Sequence, residues 1–136
     1  MFKGVRGVNI AVKDLDVAVK KYTDLLGRQP KMLGDKDFAM PGLKGAAFDI
    51  NGFILQLLAG EEGTAIAKFV ASKGEGFFLM SLASDNVEED MVKMKEAGAM
   101  FVMDKPMSGS FGTVNFIHPK STHGVQFEVY DPDAKK

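Results

Sequence analysis

The chain has 136 residues, with 17 Lys+Arg against 18 Asp+Glu, no Cys and only 2 His. That length, with 46% apolar residues, fits one domain able to bury a core without covalent staples. A net charge of −1 with no basic stripe excludes an electrostatic nucleic-acid binder, and zero Cys excludes disulfides, thiolate metal sites and Cys nucleophiles. The longest apolar runs are strand-sized, such as Phe53–Leu58, far short of the ~20 residues that span a bilayer. The first residues run straight into a strand pattern, with no signal-peptide core. A soluble, cytoplasmic domain is expected.

The chain repeats itself. Gly7–Asp16 and Leu79–Glu88 align at an offset of 72 residues, which pairs Val8 with Met80, Ile10 with Leu82, Ala11 with Ala83 and Asp14 with Asn86. The same offset carries Gly52 to Gly124 and Gln56 to Glu128. In chain order, a strand at Val8–Val12 leads into a helix capped by Asp14, with Leu15, Ala18, Val19, Tyr22 and Leu26 at helical spacing. Gly27 and Pro30 supply its stop. Ala46–Ile50 and Phe53–Leu58 flank Asn51-Gly52, a strong hairpin signal. Thr64–Ser72 reads as a linking helix, with Ile66, Phe69 and Val70 as its apolar face.

The second half follows the same order. A strand at Met80–Ser84 precedes a helix with Asn86 as N-cap, an apolar stripe of Val87, Met91 and Met94, and Gly98 at its end. Ser108-Gly109-Ser110 and Gly112 read as a flexible loop over a pocket mouth, and Val114–Ile117 and Val125–Tyr130 as strands around a longer turn. The expected fold is α+β, with two βαβββ modules in tandem forming curved mixed sheets around a cavity. One domain spans 1–136, divided into module one 1–62, a linking helix 63–73 and module two 74–136.

Strand alternation sorts the faces. Val8, Ile10 and Val12 should lie under the first helix, with Gly7, Asn9 and Ala11 opposite. Met80 and Leu82 should face the second, leaving Leu79, Ser81 and Ala83 opposite, with Phe77 on their side. A two-residue hairpin turn pairs Ile50 with Phe53, Asp49 with Ile54 and Ala47 with Gln56. If the polar sides turn inward, Asn9, Gln56, Ser81, Gln126 and Glu128 share a largely apolar cavity with Phe77, the composition of a small-molecule pocket. If they turn outward, they are an ordinary solvated face.

Gly7-Val8-Asn9-Ile10-Ala11-Val12-Lys13-Asp14-Leu15-Asp16, with Tyr22 and Leu25-Leu26-Gly27, resembles the opening of the vicinal oxygen chelate superfamily, the glyoxalase and bleomycin-resistance proteins. Gly74-Glu75-Gly76 and Asn115-Phe116-Ile117-His118-Pro119-Lys120-Ser121-Thr122 are more specifically similar to methylmalonyl-CoA epimerases. The resemblance covers nearly the whole chain and implies paired βαβββ modules, a homodimer, and a small-molecule ligand such as an acyl-CoA. It also implies a divalent metal on four strand positions. Two of these are Gln56 and Glu128, and the two that carry His in the family are Gly7 and Leu79 here. His118 and His123 fall in one turn, and His123 lies about 16 Å of extended chain from Glu128. No carboxylate occurs between Phe38 and Phe48, where similar epimerases carry a catalytic Glu.

No metal or other cofactor is expected on this reading. Glu128 is the candidate catalytic base, with a pKa raised by an apolar setting. Asn9, Gln56, Phe77, Ser81 and Gln126 are the candidate substrate-binding residues. The implied activity is a methylmalonyl-CoA epimerase-like isomerase or epimerase that abstracts a proton next to a carbonyl or thioester without a metal. The alternative is a non-catalytic binder of an apolar or aromatic small molecule, of the bleomycin-resistance type. A third is a partner subunit with a vestigial pocket. Lys120 reads either as a contact to a CoA phosphate or as a solvated turn lysine.

Overall fold

A computed structural model describes residues 2–134, so the extreme ends of the expected 1–136 domain lie outside the described residues. Packing divides the chain into two compact units. One comprises residues 7–78, the other residues 2–6 with 79–134.

The first unit starts from β1 (Gly4–Ala11), which runs parallel to β4 (Phe53–Gly60). β4 pairs antiparallel with β3 (Leu43–Ile50), and β3 with the short β2 (Lys31–Leu33). Asn51 and Gly52 form the β3–β4 turn with φ of 53° and 92°, the left-handed pair that a two-residue hairpin requires. The turn sets the register as expected, with Ile50 opposite Phe53, Asp49 opposite Ile54 and Ala47 opposite Gln56.

Helix α1 (Leu15–Leu26) begins where the Asp14 carboxylate accepts from the Val17 N–H, and it ends at left-handed Gly27. Its stripe of Leu15, Ala18, Val19, Tyr22 and Leu26 covers Ile10, Val12, Ala46, Phe48 and Leu57. Thr64 caps α2 (Ala65–Lys73), whose Ile66, Phe69 and Val70 pack with Ala11, Leu58 and Phe78. The Lys13 N–H donates to Glu75 Oε2 at 2.9 Å, tying the Gly74-Glu75-Gly76 segment to the end of β1.

In the second unit β5 (Gly76–Ala83) runs parallel to β8 (Phe127–Asp131), and β8 pairs antiparallel with β7 (Gly112–Ile117). The edge is β6 (Met107–Gly109), paired with β7. This corrects the flexible-loop expectation for Ser108-Gly109-Ser110. Ser108 and Thr113 are opposite each other, their hydroxyls 2.8 Å apart, and the segment is an ordered hairpin.

Helix α3 (Val87–Glu96) lays Val87, Met91 and Met94 on Leu82, Ile117 and Val129. Its start is held twice. Asn86 Oδ1 accepts from the Glu89 N–H, and the Ser84 hydroxyl donates to buried Asp90 at 2.6 Å. No helix among the described residues is long and apolar enough to cross a membrane.

The repeat is carried into the hydrogen-bonded register. Val8, Asn9, Ile10 and Ala11 stand opposite Leu55, Gln56, Leu57 and Leu58. Met80, Ser81, Leu82 and Ala83 stand opposite Phe127, Glu128, Val129 and Tyr130. Every one of these residues has its counterpart 72 positions on (9 + 72 = 81, 56 + 72 = 128).

Candidate functional site

The candidate residues fall into two in-register pairs, one per unit. Asn9 on β1 is 5% exposed and faces half-buried Gln56 on β4. Ser81 on β5 is 1% exposed and faces Glu128 on β8. Parallel-strand neighbours in register project from the same side of the sheet. The opposite side of β5 and β8, with Met80, Leu82, Phe127 and Val129, belongs to the core beneath α3.

Gln126 precedes β8, which begins two residues later than expected, and its carbonyl accepts from the Met80 N–H at 3.1 Å. Phe77, at the start of β5, is 45% exposed. The structure thus brings Ser81 together with Glu128, and Asn9 with Gln56.

Three influences act on the Glu128 carboxyl. Burial raises its pKa, and this is the largest effect. The nearby Ser81 hydroxyl and the Arg6 charge pull in the opposite direction, favouring the carboxylate. The Ser81 oxygen is fully buried and has no hydrogen-bond partner among the described residues, so the serine approaches Glu128 without closing a full bond. A buried hydroxyl left in this state carries a desolvation cost of about 1–3 kcal/mol.

Arg6 and Tyr130 were not singled out by the strand pattern. The Arg6 guanidinium lies 5.0 Å from the centre of the Tyr130 ring. Tyr130 is anchored in turn, its hydroxyl donating to the Phe111 carbonyl in the β6–β7 turn. Simple alternation would put Arg6 with Val8 and Ile10, beneath α1. Its guanidinium lies over Tyr130 instead. A Cβ built on the next residue, Gly7, would lie 1.8 Å from the Ile54 carbonyl oxygen.

The chain matches the Glyoxalase/Bleomycin resistance protein/Dioxygenase superfamily over residues 5–133. It belongs to that family. Among solved structures of similar fold is a glutamate-to-glutamine variant of Streptomyces coelicolor methylmalonyl-CoA epimerase in complex with 2-nitronate-propionyl-CoA. The two are 29% identical with a TM-score of 0.87, covering 98% of this chain and 100% of that one. The Mycobacterium tuberculosis methylmalonyl-CoA epimerase is 30% identical with a TM-score of 0.83, covering 96% and 89%. A hypothetical protein from Bacillus halodurans is 29% identical with a TM-score of 0.83, covering 97% and 96%. No curated protein sequence matches the chain.

The residues present do not fit the divalent metal implied by the glyoxalase resemblance. At position 7 any side chain would meet the β4 backbone, and at position 79 stands a leucine that is 1% exposed. His118 Nδ1 accepts from the Lys120 N–H, and His123 has the positive φ of a turn residue, 57°. Among the described residues no three or more His, Cys, Asp and Glu are grouped to hold a metal. Three protein donors is the usual minimum for a catalytic site.

Proposed function

We propose that this glyoxalase-superfamily protein is a methylmalonyl-CoA epimerase-like isomerase that abstracts a proton next to a carbonyl or thioester, with Glu128 as the base and no metal. The observation that carries the reading is the Ser81–Glu128 pair, a half-buried side chain whose carboxyl pKa is raised by desolvation, beside a buried hydroxyl with no other bond to make. A carboxylate of raised pKa is a stronger base than an exposed one. Structural neighbours that bind acyl-CoA compounds support an acyl-CoA as the substrate class.

In this proposal Ser81 orients the acyl group beside Glu128, and Gln126 lines the approach along the end of β8. Asn9 and Gln56 are retained as substrate-binding residues on the strength of the repeat, and Phe77 on the strand face that alternation gives it with Ser81. The absence of a carboxylate between Phe38 and Phe48 leaves Glu128 without the partner acid that similar epimerases carry. The experiment is solvent-deuterium incorporation into methylmalonyl-CoA by the purified protein, followed by mass spectrometry. Incorporation above the uncatalysed rate supports the reading.

One observation favours a second reading, non-catalytic binding of an apolar or aromatic molecule: the closed position at Gly7 and the leucine at position 79. Its signature is ligand-induced thermal stabilisation with no deuterium incorporation. A cytoplasmic homodimer is the proposed state, and sedimentation equilibrium tests the dimer.

A further inference from the structure

Enolate formation needs positive charge or hydrogen-bond donors where the negative charge develops. The metal that supplies this in the resemblance finds no donor set here, so another group must do so if Glu128 acts as a base. Among the described residues Arg6 is a cation whose charge favours the Glu128 carboxylate, working against the desolvation of that carboxyl. Its guanidinium is held over the Tyr130 ring at 5.0 Å and makes no hydrogen bond or salt bridge to another described residue.

The carboxylate beside it is half-buried. The arginine's fork of five N–H donors matches planar two-oxygen anions, and stacking on an aromatic face leaves those donors free at the edge. Tyr130 stands two residues beyond Glu128 on β8 and so projects from the same side of the strand. Ser81, in register with Glu128, adds a second donor whose hydroxyl is directed to Glu128 and to no other described residue, 1% exposed and fully buried at its oxygen. A cation with open donors and a buried hydroxyl therefore flank one carboxylate.

We propose that Arg6 is a catalytic residue in place of a metal: stacked on Tyr130, it receives the negative charge that forms on the substrate oxygens when Glu128 removes the α-proton. This rests on the function proposed above. In the step, the α C–H bond breaks and its proton passes to a Glu128 oxygen. The C–H electron pair enters the bond between the α-carbon and the carbonyl carbon, and the carbonyl π pair moves onto oxygen, where the guanidinium and the Ser81 hydroxyl hold it. Reprotonation at carbon reverses each transfer. The substrate class that follows is an acyl thioester or ketone, whose one enolate oxygen accepts from the guanidinium edge.

The test is calorimetric titration of 2-nitronate-propionyl-CoA, a planar anion, and of neutral propionyl-CoA, into wild type, Arg6→Gln and Arg6→Lys. Wild type is expected to prefer the nitronate by about tenfold to a hundredfold, the span of one or two charge-assisted hydrogen bonds. Arg6→Gln is expected to lose that preference while binding propionyl-CoA as before, and Arg6→Lys to retain part of it. Equal binding of the two ligands by wild type, or an undiminished preference in Arg6→Gln, overturns the proposal. So does an equal loss of both ligands in Arg6→Gln, which would mark a structural role. A wild type that shows the preference yet incorporates no deuterium leaves the Arg6 site standing and defeats the base assignment of Glu128.

Discussion

Ser81 and Glu128 face each other in register on adjacent parallel strands, and the buried Ser81 hydroxyl has no hydrogen-bond partner among the described residues. The pair repeats, 72 residues on, the register of Asn9 and Gln56. What differs is charge. The second unit places a carboxyl where the first has an amide, and it supplies Arg6 and Tyr130 beside that carboxyl. The chemistry proposed for this glyoxalase-superfamily chain is therefore concentrated in the second of two similar frames.

Replacing Ser81 by Ala removes one of the two influences that lower the Glu128 pKa. That pKa should rise further, moving the acid limb of the exchange-rate profile to higher pH. A pH–rate profile with an unmoved limb would separate Ser81 from Glu128.

The stability of the fold should depend on Glu128 in the opposite sense to its activity. Its folded pKa is raised, so between the unfolded and folded values the native state binds more protons and stability falls as pH rises. Above the folded pKa the full cost remains. Glu128→Gln, which has no charge to desolvate, is expected to melt higher than wild type at neutral pH, the difference closing on acidification below the unfolded carboxyl range. Thermal melts across pH read this directly. A variant that melts lower at neutral pH contradicts the burial account.

With one base, proton removal and return occur on one face of the α-carbon. Deuterium exchange is therefore expected to outrun inversion at that carbon, by about tenfold or more, unless the enolate turns before it is reprotonated. Chiral analysis of product taken alongside the exchange assay measures the ratio. Equal rates would require a turning enolate or a second acid, and the segment from Phe38 to Phe48 contains no carboxylate.

Gly7 cannot accept a side chain without displacing β4, since even a Cβ would meet the Ile54 backbone at 1.8 Å. Gly7→Ala is expected to destabilise by about 1–3 kcal/mol or more, and Gly7→His to do so without creating metal affinity. Gly34→Ala, where a Cβ meets nothing within 4 Å, is the control. Urea unfolding measures all three. A Gly7→His variant of wild-type stability that binds Co²⁺ would contradict the geometry.

Much of the fold was legible because local signals agreed with the repeat. Asp14 and Asn86 cap their helices as the residue types require, and Asn51-Gly52 sets the β3–β4 register. The in-register pairs at Gln56 and Glu128 follow from the offset alone. β6 was missed because Ser108-Gly109 has neither the branched side chains nor the alternation of a strand, and its order comes from pairing with β7. β2 was not named for a similar reason, being a three-residue edge strand. Arg6 was missed because alternation along β1 puts it with Val8 and Ile10, whereas its guanidinium lies over Tyr130. No pattern in the sequence places Arg6 over Tyr130, a residue 124 positions away (130 − 6 = 124).

The central claim is that Glu128 moves a substrate proton without a metal. Its most direct test is deuterium incorporation into methylmalonyl-CoA from heavy water, comparing chelator-treated wild type with Glu128→Gln. The account predicts incorporation by the metal-free wild type and a loss of about 100-fold or more in the variant. No incorporation by the metal-free wild type, or an equal rate in Glu128→Gln, would contradict it.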